Sequence, residues 1–214
     1  MGGPYYGQKT LSDDASEFHK ISFAIRQALS HLRVSIPVKV IAVKGGGLGA
    51  AGTVDVQPMV KQMDGVGNSS SHGKIYGVPV ARIQGGLNAI ICDPQVGDFG
   101  IMLVADRDIS SVKNNKGSES NPASLRRHDF SDGIYIGAIL NPGTPNQYVQ
   151  FTSTGINISD KNGNTITTSP AGINLNGLLI DNHGNVTTTG NFTANGIDLE
   201  HHTHGGGPPP DPGS

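Results

Sequence analysis

The sequence predicts a mainly β protein with one N-terminal helix, a small barrel and a C-terminal β-structure shared between several chains. Only one segment repeats its apolar residues with a helical period, whereas the rest alternates over short runs between turns. Glycine provides 31 of the 214 residues and aromatic residues only 5%. This composition is typical of turn-rich β-structure or of a fibre, because a compact enzyme usually needs more bulky residues in its core. The net charge of −2 predicts no broad field that would attract nucleic acid or anionic lipid.

Residues 1–33 form the first predicted domain, an arm followed by a helix. Ser12 or Asp13 can cap the start of the helix, and Pro37 with its β-branched neighbours ends it near Arg33. The apolar residues of the helix are Phe18, Ile21, Phe23, Ile25, Leu29 and Leu32. We expect this face to pack against the following β-domain or against a neighbouring chain.

Residues 34–140 form the second predicted domain. Turn signals separate five predicted strands, Val34–Val43, Gly52–Val60, Tyr76–Ile83, Asn88–Cys92 and Gly100–Ala105, and a further apolar strand spans Gly133–Leu140. Five short strands within about 75 residues are typical of a small, partly open barrel of the OB-fold type.

Cys92 is the only cysteine, and its apolar neighbours predict a small buried side chain. One cysteine permits no disulfide within the chain, which fits assembly in a reducing cytoplasm. The first residues have neither the basic nor the apolar region of a secretory signal peptide. No stretch approaches the roughly 18 apolar residues that a membrane helix needs. We therefore expect a soluble chain that is made in the cytoplasm.

Residues 141–199 form the third predicted domain, which repeats a short pattern. Gly155-Ile156-Asn157-Ile158 recurs as Gly172-Ile173-Asn174-Leu175 and again as Gly196-Ile197-Asp198-Leu199. Each strand offers one or two apolar side chains, so one copy cannot build an ordinary core. Three intertwined copies, forming a triple-stranded β-helix, would turn these side chains to a shared axis: Ile156, Ile158, Ile166, Ile173, Leu175, Ile180, Val186, Phe192, Ile197 and Leu199. A monomeric β-roll and a disordered linker are the alternatives.

Two motifs suggest binding functions, and their context argues against both. Gly47, Gly49 and Gly52 match the dinucleotide-binding spacing, but a strand follows them where that motif requires a helix. We therefore predict a flexible hairpin loop. Arg126-Arg127-His128 could contact nucleic acid, but the barrel sequence offers few aromatics to stack bases, so we predict a structural loop.

The sequence shows no pair of carboxylates and no nucleophile with a base that would indicate an active site. Asp106 and Asp108 flank Arg107, and we expect surface ion pairs and turn contacts from them. The prediction is a protein that is not an enzyme and has no small-molecule substrate.

Residues 200–214 form the last predicted domain, which contains a candidate metal site. His202 and His204 share one face of an extended strand, while His201 faces away. Three chains would bring six imidazole nitrogens to one point, and six imidazoles suit an octahedral transition ion such as Fe2+, Co or Ni better than tetrahedral zinc. We predict one structural metal ion per trimer, bound by His202 and His204, with Glu200 as a further candidate ligand.

Together these segments resemble the central spike, or baseplate assembly protein V, of contractile-tailed bacteriophages and related injection particles. The resemblance is carried by residues 94–100 leading into 106–109, by residues 127–133 and by residues 201–206, and it spans most of residues 12–206. It implies an N-terminal OB domain followed by a trimeric β-helix needle whose apex binds iron through a His-x-His motif. The tail from Gly207 to Ser214 departs from that pattern.

The resemblance implies a homotrimeric spike at the virion tail tip, made in the bacterial host cytoplasm. Its implied partners are the baseplate hub, the tail tube and the host outer membrane, which the needle pierces when the tail contracts. Nucleic acid is not among them. The residues alone leave two other classes open: a β-helical glycan-degrading or metal-dependent enzyme, and an OB-fold protein that binds nucleic acid.

Overall fold

The computed structural model describes residues 9–64, 67–137, 140–195 and 197–198, which form a mainly β protein, as predicted. The chain divides into two compact units, Met1–Pro142 and Gly143–Ser214. The described part of the first unit contains the helices and a barrel. The described part of the second contains strands and turns.

Helix α1 spans Glu17–Ser30. Its N-terminal cap is Ser16, whose hydroxyl accepts a hydrogen bond from the backbone N–H of His19 at 3.3 Å. The prediction that Ser12 or Asp13 caps this helix is wrong, because the extended backbone at Ser16 separates both residues from the first turn of α1.

Ser12 and Asp13 lie instead in a short 3-10 helix, Leu11–Asp14. The Asp13 carboxylate accepts hydrogen bonds from the Thr10 amide at 2.8 Å and from the Arg26 guanidinium at 2.6 Å. The hydrogen bond from Thr10 is the main reason why the pKa of Asp13 lies below its usual value. Asp13 therefore fastens the 3-10 helix to the side of α1.

The first unit contains nine strands, a short helix α2 and a second 3-10 helix among its described residues. The strands are β1 (Ser35–Lys44), β2 (Thr53–Pro58), β3 (Gln62–Met63), β4 (Ser69–Ser70), β5 (Ile75–Pro79), β6 (Ile83–Gly85), β7 (Asn88–Ile90), β8 (Phe99–Val104) and β9 (Gly133–Tyr135); α2 is Ser110–Asn114 and the second 3-10 helix is Phe130–Asp132.

Five of these strands form one antiparallel sheet in the order β5-β2-β1-β8-β9. A parallel bridge between Val80 and Tyr135 connects the two outer strands. The Ala81 N–H also donates a hydrogen bond to the Tyr135 carbonyl at 2.8 Å. The sheet is therefore a nearly closed five-stranded barrel with the pairing of an OB fold, which confirms the predicted class.

The predicted strand Asn88–Cys92 is not part of the barrel. Its residues 88–90 form β7, which pairs with β6 in an exposed hairpin, and β9 takes the fifth place in the sheet. Cys92 follows this hairpin and is exposed, so the prediction of a buried cysteine is wrong. A short apolar run has the same appearance in a surface hairpin and in a core strand, because periodicity does not distinguish them.

The barrel core consists mainly of small β-branched side chains on alternate strand positions. Its buried members are Val38, Val40, Val54, Val56, Ile75, Val78, Met102, Val104 and Tyr135. Gly133 lies against this core, where a Cβ atom would collide with the Met102 sulfur. Burying each valine contributes about 1.5–3 kcal/mol, so the first unit has a core of its own.

Two irregularities in strand pairing curve the barrel. The register shifts between Val40 and Ala42 in β1 and between Val54 and Val56 where β2 meets β5. At the second shift the Asp55 carboxylate accepts a hydrogen bond from the Gly77 N–H at 2.8 Å. This hydrogen bond lowers the pKa of Asp55. Such bulges increase local twist and help a sheet to close.

The second unit contains a six-stranded antiparallel sheet in which each strand pairs with the next. The strands are β10 (Tyr148–Phe151), β11 (Ile156–Ser159), β12 (Thr165–Ser169), β13 (Gly172–Leu175), β14 (Leu178–Asp181) and β15 (Val186–Thr188); β16 (Thr193–Ala194) and β17 (Ile197–Asp198) form a separate hairpin. These ladders lie within one chain, and the intertwined β-helix stays a prediction.

Two turns of this sheet have the same construction. Asp160–Asn164 joins β11 to β12, and Asp181–Asn185 joins β14 to β15. In each turn the aspartate carboxylate accepts hydrogen bonds from the backbone N–H and the side-chain amide of the asparagine four residues later, at 2.8–2.9 Å. The asparagine side chain is the main reason why the pKa of both aspartates is lowered. Asp64 and Asn68 make the same contacts between β3 and β4.

Candidate functional site

The six-stranded sheet of the second unit places apolar and polar side chains on opposite faces. Residues directly opposite each other in a ladder share a face. One row on the first face contains Val149, Ile158, Ile166, Leu175 and Leu178. The next row on that face contains Phe151, Ile156, Thr168, Ile173, Ile180 and Val186. We call these two rows the apolar face.

The opposite face of the sheet is mostly polar. Its members include Gln150, Asn157, Thr167, Asn174 and Thr187, each adjacent in sequence to residues of the apolar face. Leu179 is an apolar exception on this face, since it pairs with Asn174 and Thr187. Alternation of this kind is typical of a sheet that has one face in a core and one in water.

The described residues of one chain leave much of the apolar face exposed, although Ile156, Leu178 and Ile180 are half-buried. Phe151 is 78% exposed, Val149 60% and Val186 56%. Among all residues of β10–β15, only Gly172 is buried. A continuous exposed patch of this kind marks an interaction surface in a folded protein.

The apolar face contains all of the predicted axial residues from Ile156 to Val186. Phe192 and Ile197 belong to the following segment, and Leu199 lies outside the described residues. Sequence reasoning missed Val149, Phe151 and Leu178. The alternation of Val149 and Phe151 could have identified them as members of this face. It was overlooked because these residues precede the first Gly-Ile-Asn repeat.

The predicted iron ligands His202 and His204 lie outside the described residues, as do His201 and Glu200. Within the ranges that the structure describes, no three His, Cys, Asp or Glu side chains group closely enough to hold a metal. The metal site therefore stays a prediction that depends on the sequence.

Arg126 connects two buried carboxylates in the first unit. Its guanidinium lies 2.9 Å from Asp108 and 3.1 Å from Asp132, and these contacts, led by the hydrogen bond to Asp132, raise the pKa of Arg126. Asp108 also accepts hydrogen bonds from the Ser110 N–H at 2.9 Å and the Ser124 hydroxyl at 2.6 Å. Hydrogen bonding, chiefly from Ser110 and Ser124, holds the pKa of Asp108 well below its usual range.

These contacts decide two predictions. The structural loop predicted for residues 126–128 is confirmed, because Arg126 binds carboxylates of its own chain and a ring nitrogen of His128 lies 3.1 Å from the Arg33 carbonyl oxygen. The surface ion pair predicted for Asp108 is wrong, because its carboxylate is buried and pairs with Arg126.

The glycine motif forms the predicted hairpin loop between β1 and β2, and the flexibility of this loop stays a prediction. Arg82 donates hydrogen bonds to the carbonyls of Gly47 and Gly49 at 3.0 and 2.6 Å, and the Asp93 carboxylate accepts one from the Gly47 N–H. Gly46 has a positive φ of 116° and no room for a Cβ atom beside Asp93. The glycines therefore serve a loop that Arg82 and Asp93 hold in place.

Residues 94–100 also make structural contacts. The Gly97 N–H donates to the Val40 carbonyl, and the Val40 N–H donates to the Asp98 carbonyl, both at 2.9 Å. The Asp98 carboxylate accepts a hydrogen bond from the Asn141 side chain at 2.8 Å. This segment of the spike resemblance therefore maintains the barrel.

Residues 34–137 match the sequence profile of the family described as the phage protein Gp138 N-terminal domain. The match begins just before β1 and ends just after β9, so it covers the barrel. The barrel is similar to this phage protein domain. This finding supports a structural role in a phage and an association with the virion. No curated protein matches the chain.

None of the described helices is both long and apolar enough to cross a membrane.

Proposed function

We propose that this chain is the tail-tip spike of a contractile-tailed phage or phage-like particle, and that it pierces the host outer membrane when the tail contracts. The observation that carries the proposal is the apolar face of β10–β15, which one chain leaves in water. The match of residues 34–137 to a phage protein domain supports a structural role in a phage. The resemblance of the sequence to central spikes supports the finer role.

The proposed assembly is a homotrimer. Three copies of the sheet around one axis would direct their apolar faces inward and their polar faces, with Asn157 and Thr167, toward water. Two stacked sheets could also cover the apolar faces. The histidine pair favours three chains, because His202 and His204 from three copies supply the six nitrogens of an octahedral site.

In this role the chain performs no reaction, because contraction of the tail supplies the energy. The baseplate hub and the tail tube proteins are the proposed partners that transmit the force. Bound Fe2+, one per trimer, would hold together chain ends that otherwise fray, and His202 and His204 would be its ligands.

Light scattering coupled to size exclusion tests the assembly. We expect full-length protein to elute at three times the chain mass of 22.2 kDa. Ile166→Asp places a carboxylate on the apolar face and should yield monomers or aggregates, because an unpaired buried charge is costly. Thr167→Asp is the matched control on the polar face of the same strand and should remain trimeric. A folded wild-type monomer at micromolar concentration would overturn the proposal.

A further inference from the structure

Helix α1 presents a second apolar surface that the described chain does not cover. Phe18, Ile21, Ile25 and Ala28 of α1 follow one another at alternating spacings of three and four residues, and Leu32, two residues past the end of the helix, continues this spacing. We call this row the helix seam. Phe18 is 74% exposed, Ile21 58% and Ile25 53%, and no residue of α1 is buried.

A helix of this length needs a packing partner. A 14-residue helix is marginal in water unless its apolar face packs against something. Within its own chain, α1 is tied to the Leu11–Asp14 turn through the 2.6 Å ion pair between Arg26 and Asp13. That contact lies away from the helix seam and leaves the seam exposed.

We infer that the helix seam packs against the seams of two further copies of this chain in a parallel three-helix bundle. Alternating spacings of three and four residues are typical of a coiled-coil seam. Isoleucine at both kinds of core position, here Ile21 and Ile25, favours three or more strands over two.

The residues beside the helix seam also fit a partner of identical sequence. Ser22, Ala24 and Leu29 flank it without charge, so identical helices would not repel one another along most of its length. Glu17 is the acidic residue at the start of the seam, and it pairs with Lys20 of its own chain at 2.8 Å.

This inference rests on the proposed trimer. Two heptads form a weak bundle by themselves, but joining three chains through their C-terminal sheets would raise the effective concentration of the helices. The helix seam would then add a second contact between the same three chains, separated in sequence from the apolar face.

Disulfide trapping in the full-length chain tests the helix seam. Cys92→Ser removes the natural thiol, and Ile25→Cys places a new one on the seam. Three thiols at one point can form only one disulfide, so oxidation should stop when about two thirds of the chains are covalent dimers. Ser30→Cys in the same background is the matched control, since this exposed position lies off the seam, and it should form few dimers.

Light scattering on the same samples separates the two proposals. Trimers in which Ile25→Cys does not cross-link, or in which both cysteines cross-link equally, would overturn the helix bundle and leave the spike intact. Monomeric wild-type protein would overturn both. Conversion of nearly all chains of Ile25→Cys to covalent dimers would show a two-helix contact and refute the three-helix bundle.

Discussion

The barrel and the C-terminal sheet both place alternating apolar residues on one face, but only the barrel buries that face within one chain. In the barrel, β9 returns after a long connection to meet the end of β5 through Val80 and Tyr135. In the C-terminal sheet every strand joins the next by a short turn, and no such closing contact exists among its described residues. Val54 is therefore fully buried, whereas Phe151 is 78% exposed. Topology therefore decides which region buries its apolar residues within one chain.

The largest expected effect is a loss of amide protection confined to the sheet. In Ile166→Asp the apolar face would lose its cover, so amide exchange in β10–β15 should accelerate by about tenfold or more. Strands β1, β2 and β8 should keep wild-type rates, because their core belongs to one chain. Hydrogen exchange followed by mass spectrometry measures both regions in one sample.

Thr167→Asp is again the control for that experiment. Its amide exchange rates in β10–β15 should equal those of the wild type. Wild-type amide exchange rates in β10–β15 of Ile166→Asp would contradict the difference between barrel and sheet, since the sheet would then be stable without partners.

A second prediction concerns the end of the chain beyond the sheet. Wild-type protein should carry one iron per trimer, and His202→Ala or His204→Ala should abolish it, because each removes three of six ligands at once. His201→Ala should retain the metal, since alternate residues of an extended strand point to opposite faces and the sequence predicts an extended strand there. Elemental analysis together with light scattering measures the ratio. Absence of metal from protein produced with iron supplied would eliminate the site.

The smallest expected effect is an acid response of the barrel. The pKa of Asp108 in the folded protein lies below its ordinary value of 3.8. Its ionised form therefore contributes stability above pH 3.8, and the contribution is lost as the pH falls through the folded pKa. Asp108→Asn should lower the thermal midpoint at neutral pH. Between about pH 5 and pH 3, the thermal midpoint of Asp108→Asn should fall less than that of the wild type. Thermal unfolding followed by circular dichroism measures both midpoints.

Asp106→Asn is the control for the acid response, because this neighbouring carboxylate is exposed. It should behave as the wild type does. An acid response of Asp108→Asn as large as that of the wild type would show that the buried carboxylate is not responsible.

The sequence was sufficient wherever a local pattern has one structural solution. Valine at alternate positions, as in Val38 and Val40, predicted β1, and the repeated Gly-Ile-Asn segments predicted short strands with one apolar face. The apolar spacing of α1 likewise predicted a helix. In each case the side-chain period itself determines which residues share a face.

The sequence alone did not predict which distant strands and side chains pair with each other. Nothing local distinguishes Asn88–Ile90, which lies in a surface hairpin, from a barrel strand, because the difference is which strand pairs with β8. The partnership of Arg126 with Asp108 was hidden for the same reason, since it depends on how a polar loop returns to the barrel. Ser16 was missed as a cap because Ser12 and Asp13 offered an equally suitable capping side chain earlier in the chain.

The repeated turn at Asp160–Asn164 and Asp181–Asn185 makes the C-terminal sheet a modular object. One aspartate and one asparagine, four residues apart, complete the turn through their own hydrogen bonds. Each additional strand widens a sheet by about 4.8 Å, so duplication or deletion of one hairpin changes its width in steps of roughly 10 Å. Evolution can therefore adjust this dimension by whole genetic units, without changes to the barrel sequence that precedes the sheet or to the histidines that follow it in the chain.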